Sequence, residues 1–102
     1  MTDAVISPRA RRELAEIVEW IAQDNPQAAV AFRSEVEKVA RRIGNHPRIG
    51  RFRPELARGP YRFIRIAGYP YLIVYREDDM PPPVVRVVHM ARDLPTVLSD
   101  LR

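Results

Sequence analysis

YRFIRIAGYPYLIVYR, residues 61–76, decides how this chain is read. Its second half, Tyr71 to Arg76, is almost wholly apolar and β-prone, as a central strand buried on both faces should be. Its first half, Tyr61 to Ala67, alternates imperfectly, and Gly68-Tyr69-Pro70 is a tight connection between the two. Two antiparallel strands are predicted. A third follows at Val84 to Met90, beyond an exposed hairpin loop, Glu77 to Pro83. The acids of that loop read as solvated turn residues and lack metal-ligand spacing. Strict alternation along the third strand puts Val85, Val87 and His89 on one face, and Arg86, Val88 and Met90 on the other.

Upstream of the strands the period changes from two to 3.6. Asp3 to Ile6 is a short candidate strand. Ser7-Pro8 then opens a helix, with serine able to cap the free amides and proline at a position that loses no hydrogen bond. Leu14, Ile17, Val18 and Ile21 fall on one face of it, and Trp20 is expected to cover the edge of the core. Asn25-Pro26 repeats the start signal, and Phe32, Val36, Val39 and Ile43 continue the stripe, with Ala29 and Ala40 filling in. The short connection predicts antiparallel neighbours. Gly44 is expected to end the second helix, and Pro47 prevents a restart. Residues 45–60, with three prolines and two glycines, read as irregular. After the last strand, Asp93 is the expected N-cap of a short helical tail. The reading is one α+β domain over residues 1–102, ordered β-α-α-β-β-β, with a helix hairpin on one face of an antiparallel sheet. The other face is expected to be an open groove for a partner, whose contacts extend around the helix hairpin.

Composition narrows the function. No cysteine is present among the 102 residues, which excludes disulfides and thiolate metal sites. No apolar run approaches the ~20 residues of a membrane span. The first residues lack both a basic and a long apolar region, so no signal peptide is expected and cytoplasmic is the default. Charge is unevenly placed. Residues 1–40 hold five basic and seven acidic side chains, residues 41–65 eight arginines and one glutamate, and residues 66–102 four basic and five acidic ones. Arginine offers a planar fork of donors suited to phosphate or carboxylate, so a partner carrying those groups is implied.

Several segments, in this order, resemble the RelE/ParE superfamily of bacterial toxins. They are the hairpin beginning Ser7-Pro8-Arg9-Ala10, then Arg62-Phe63-Ile64-Arg65-Ile66, Tyr69-Pro70-Tyr71-Leu72-Ile73-Val74-Tyr75-Arg76, and the ending Val87-Val88-His89-Met90-Ala91-Arg92-Asp93. The Tyr-Pro-Tyr strand and the His-Met-Ala-Arg-Asp ending look like the ParE branch. The resemblance implies a toxin of a type II toxin–antitoxin pair, neutralised in a hetero-oligomer by a ParD-like antitoxin, with operator DNA bound only through the antitoxin. ParE-like members are associated with poisoning of DNA gyrase. RelE-like members cut messenger RNA on the ribosome. A third possibility is an inactive toxin kept as an antitoxin partner. No cofactor and no metal are expected.

RNA cleavage needs a base, an acid and positive charge on the phosphorane. For that chemistry the resemblance points to Arg65, Arg53 and His89. Yet Met90 stands where some ribosome-dependent relatives carry tyrosine, and no tyrosine follows Tyr75. No catalytic set is therefore favoured. His89 reads as an edge-of-core histidine and Arg92 as a partner for Asp93 or another carboxylate. The residues expected to bind antitoxin or target are Arg51, Arg53, Arg62, Arg65, Tyr71, Tyr75, Arg86 and Arg92. Tyr61, Tyr69, Tyr71 and Tyr75 read more readily as sheet packing than as base-stacking platforms.

Overall fold

A computed structural model describes residues 2–101; Met1 and Arg102, the ends of the expected domain, lie outside the described residues. The elements are β1 (Val5–Ile6), α1 (Pro8–Asp24), α2 (Pro26–Asn45), β2 (Arg51–Phe52), β3 (Tyr61–Arg65), β4 (Tyr71–Arg76), β5 (Pro83–His89) and α3 (Leu94–Val97), ending in a 3-10 turn at Ser99–Leu101. The architecture is the expected α+β one. The sheet order is β1-β5-β4-β3-β2, with β1 parallel to β5 and every other pair antiparallel.

Both helix starts form as their sequences predict. The Ser7 hydroxyl accepts from the Ala10 amide at 3.2 Å, and the Asn25 side-chain Oδ1 accepts from the Gln27 and Ala28 amides at 3.0 and 3.1 Å. The end of α2 differs. Gly44 is inside the helix, which runs to Asn45. Its role is proximity: a Cβ there would stand 2.2 Å from the Thr2 carbonyl oxygen, because the N-terminal segment crosses directly over it. The Ala4 amide is tied to the Ala40 carbonyl at 2.9 Å in the same crossing, and β1 starts only at Val5 rather than Asp3.

Three further expectations are corrected. The stretch 45–60 contains β2, a two-residue edge strand whose Arg51 and Phe52 pair with Phe63 and Arg62. In β5 the alternation breaks: Val74 faces Arg86 while Tyr75 faces Val84, so Val85 is an unpaired bulge residue. Val85 therefore packs with Val88 and Val74, on the face opposite Val87. Trp20 does not cover the core edge, since 71% of it is exposed.

The sheet separates two apolar layers. Phe32, Val36, Val39 and Ile43 of α2 and Ala10 of α1 pack on Ile73, Tyr75, Val84 and Val87. The other face is not open as expected. Phe63, Leu72, Val74 and Val88 are covered by Leu56 and Ala57 of the 53–60 loop and by Leu98 of the tail, which is fully buried. The cleft that remains on that face lies at the β2–β3 end of the sheet.

Candidate interaction surfaces

Alternation and register assign each predicted side chain to a face. Tyr71 and Tyr75 belong to the helix-facing layer. Tyr75 is fully buried, and its hydroxyl accepts from the Gly50 amide and donates to the Pro47 carbonyl, both at 2.8 Å. Burial pushes the Tyr75 phenol above its usual pKa, partly offset by the Gly50 hydrogen bond and the charge of Arg62, while Glu77 adds to the rise. Gly50 is close to this ring: a Cβ there would come 2.8 Å from Tyr75 Cε1. Tyr71 meets Phe32 and His89 edge-on, at centroid distances of 5.6 and 4.9 Å. Tyr75 is packed inside the sheet layer, whereas Tyr71 stays partly exposed beside His89.

Arg62 lies opposite Tyr75 and turns under the 47–50 loop. Its Nη1 donates to the carbonyls of Gly50 at 2.8 Å and Arg48 at 3.2 Å, and its guanidinium stacks 3.9 Å over the Phe52 ring. Nε sits 3.2 Å from Glu77 Oε2 but off the line of its own N–H, giving a charge contact without a hydrogen bond. Arg86 is more fully committed. It is 3% exposed; Nε and Nη2 hold the Glu13 carboxylate at 2.9–3.2 Å, and Nη1 holds the Val97 carbonyl at 2.9 Å and Asp100 at 3.0 Å. Both arginines tie distant parts of the chain together. Arg76 is likewise taken, by a bidentate pair with Asp78 that holds that carboxyl below its usual range.

Arg51, Arg53 and Arg65 converge. They line one cleft of about 450 Å³ with Phe52, Glu55, Phe63 and Leu72. Arg53 donates to Glu55 at 3.2 Å, and Arg65 Nε donates to the Tyr69 carbonyl at 3.1 Å. Among the described residues Arg51 makes no ion pair. His89 is elsewhere. It pairs in register with Tyr71 and faces the helix layer, in a depression of about 130 Å³ shared with Glu13, Glu16, Ile17 and Arg92. Its Nδ1 accepts from the Ala91 amide at 3.0 Å. The sheet thus stands between His89 and the Arg53/Arg65 cleft. Arg92 is exposed and forms no ion pair among the described residues, with Asp93 or any other carboxylate. Asp93 holds the N-cap position, but its carboxylate accepts from the Thr96 hydroxyl at 2.8 Å and not from a backbone amide.

A second surface lies on the helix hairpin, around which the sequence reading expected a partner to bind, though it named no residues there. Between α1 and α2 runs a groove of about 270 Å³, floored by Leu14, Val18, Phe32 and Val36 and edged by Arg11, Arg33 and Glu37. Its apolar residues were legible only as core stripe. The signal that separates groove from core is the smallness of Ala15 on the wall, which leaves the two helices unfilled at that level. Among the described residues no cluster of His, Asp and Glu has the makings of a metal site, and no helix is long and apolar enough to cross a membrane.

A helix hairpin on a small five-stranded sheet carries two separate surfaces, the α1–α2 groove and the Arg51/Arg53/Arg65 cleft. The chain matches the family described as the ParE toxin of the type II toxin–antitoxin system, parDE, over residues 4–94, and it belongs to that family. Membership makes it the toxin half of a toxin–antitoxin pair, with an antitoxin as its partner. No curated protein matches the chain.

Proposed function

We propose that this toxin acts on DNA gyrase by binding it, without chemistry of its own, and that a ParD-like antitoxin silences it. The observation that carries the reading is the separation of the residues a nuclease would need. Arg53 and Arg65 open on the tail-side face, while His89 lies on the helix side. A general acid or base must come within about 3 Å of the proton it moves. His89 cannot serve a phosphate held by Arg53 and Arg65 through the thickness of the sheet. Family membership supports the toxin role, and the ParE-type ending supports gyrase as the target within the cytoplasm.

The antitoxin segment fits the α1–α2 groove. Leu14, Val18, Phe32 and Val36 offer apolar anchoring, and Arg11 and Arg33 suit carboxylates at the rim. Burial of the anchors supplies most of the affinity and the rim arginines fix register. Operator DNA is reached through the antitoxin.

The test is plasmid supercoiling by purified gyrase, with and without the toxin freed of antitoxin, scoring linearised product. Loss of supercoiling with accumulated breaks is the expected result. A folded, growth-arresting toxin that leaves gyrase untouched would refute the reading.

A further inference from the structure

We infer that the Arg51/Arg53/Arg65 cleft is a clamp for the phosphate backbone of DNA, so that the toxin touches the nucleic acid as well as the enzyme it poisons. The biological setting rests on the gyrase reading; the cleft's preference for a phosphate chain rests on its own geometry. Arg51 pairs in register with Phe63, and Arg65 lies two residues further along the neighbouring strand, on the same face. Arg53 lies two residues from Arg51 in the opposite direction. Strand residues two apart are separated by about 7 Å, which sets Arg51 and Arg65 one such step apart along the β2–β3 pair, and Arg53, just past β2, lines the same cleft. One strand of B-form DNA repeats its phosphates every ~3.4 Å of axis, so arginines set side by side in one cleft meet successive phosphates of one strand. A single carboxylate would engage one arginine. A repeating anion engages the row.

Charge and surroundings agree. Glu55 is the one acid lining the cleft, and it meets Arg53 only through Nε. Arg65 uses Nε on the Tyr69 carbonyl, which fixes the side chain and leaves its terminal nitrogens for a ligand. Beneath the arginines lie Phe63 and Leu72, 3% and 6% exposed, so the floor is apolar and the field above it is less screened than over open surface.

The experiment is fluorescence anisotropy of the freed toxin with a labelled 20-base-pair duplex, the same strand unpaired, and an RNA of equal sequence, between 50 and 200 mM salt. Three neutralised phosphates give a log–log slope near −2.7, so DNA affinity should fall about 40-fold across that range. Arg51→Glu/Arg65→Glu should lose DNA binding by at least tenfold and flatten the slope. Both residues are exposed, so an unchanged circular dichroism spectrum is expected. Arg12→Glu/Arg41→Glu alters net charge equally at two exposed positions outside the cleft and should bind as the parent does. Equal losses in the two variants, no loss in either, or tighter binding of RNA than of both DNA forms would overturn the clamp. Gyrase supercoiling, measured beside the titrations, separates the two readings. Cleft-dependent DNA binding with gyrase unaffected keeps the clamp and removes the target, and gyrase poisoning without DNA binding does the reverse.

Discussion

Replacing Glu13 by glutamine should destabilise this domain more than any other single-atom change on its surface layer. Glu13 is on α1, yet its carboxylate does three things at β5. It takes the Arg86 guanidinium at two nitrogens, accepts the Val87 amide at 2.9 Å, and so closes the sheet edge where β1 has already ended. Glutamine keeps the shape and one carbonyl oxygen for Val87. It turns an NH2 group toward the guanidinium and removes the charge. Arg86, with a side chain 4% exposed, is then left with Asp100, which is 40% exposed and screened by water.

Breaking a buried pair from one side costs about 3–5 kcal/mol, because the remaining charge stays desolvated. The surviving Asp100 contact puts the expectation at the lower end, about 3 kcal/mol. A domain of 102 residues has about 5–15 kcal/mol in total. The loss should appear in urea denaturation as a lower midpoint at constant slope. In thermal melts it should lower Tm by about 12–24 °C. The companion variant is decisive. Arg86→Met in the Glu13→Gln background removes the stranded charge and should restore at least about 1 kcal/mol, even though Met cannot hold the Val97 carbonyl. The account is refuted if Glu13→Gln lies within about 0.5 kcal/mol of the parent, or if the two losses simply add.

Three other changes test the packing around the two surfaces. Gly44→Ala forces a methyl group against the Thr2 carbonyl, and should cost about 1–3 kcal/mol while raising amide exchange at Ala4, whose partner is Ala40. Tyr75→Phe strands the Gly50 amide in the interior and should cost about 1–3 kcal/mol in urea titration. The Tyr75 phenol is held above its ordinary pKa, so its contribution is complete below pH ~10, where the unfolded tyrosine starts to ionise, and is lost as pH rises towards the folded value. The parent should therefore lose stability above pH ~10 by more than Tyr75→Phe does; equal slopes would contradict this. Leu98→Ala empties a fully buried site under the tail and should cost about 2–5 kcal/mol, with hydrogen exchange quickening over 94–101 before the helices respond.

What the sequence made legible was local, and what it concealed depended on pairing. The Tyr71–Arg76 strand and the Ser7-Pro8 and Asn25-Pro26 starts are set by neighbouring residues, and all three stand as read. β2 was invisible because two residues carry no period; it exists because Phe63 and Arg62 offer an edge to pair with. The Val85 bulge is equally silent, since nothing in Val84-Val85-Arg86-Val87 marks which valine leaves the ladder. Arg86 shows the cost of this most clearly. As an arginine in an alternating strand it reads as a surface contact, but its partner Glu13 is 73 positions away, and only the fold turns both into a buried pair. The same argument works in reverse for the cleft. Arg51, Arg53 and Arg65 read as members of one diffuse basic stretch. Register divides that stretch, sending Arg62 under the 47–50 loop and leaving the other three in a row on the opposite face. Charge density was therefore visible in the sequence, whereas the alignment that could make it a phosphate-binding row is a property of the β2–β3 pairing. A change that breaks that pairing without touching an arginine, such as Phe63→Ala, should weaken both stability and binding to any polyanion. Measured on the DNA titration, it should mimic the loss of Arg51 while preserving the net charge. If binding instead persists undiminished in a folded Phe63→Ala variant, the row is not what holds the anion and bulk positive charge is sufficient.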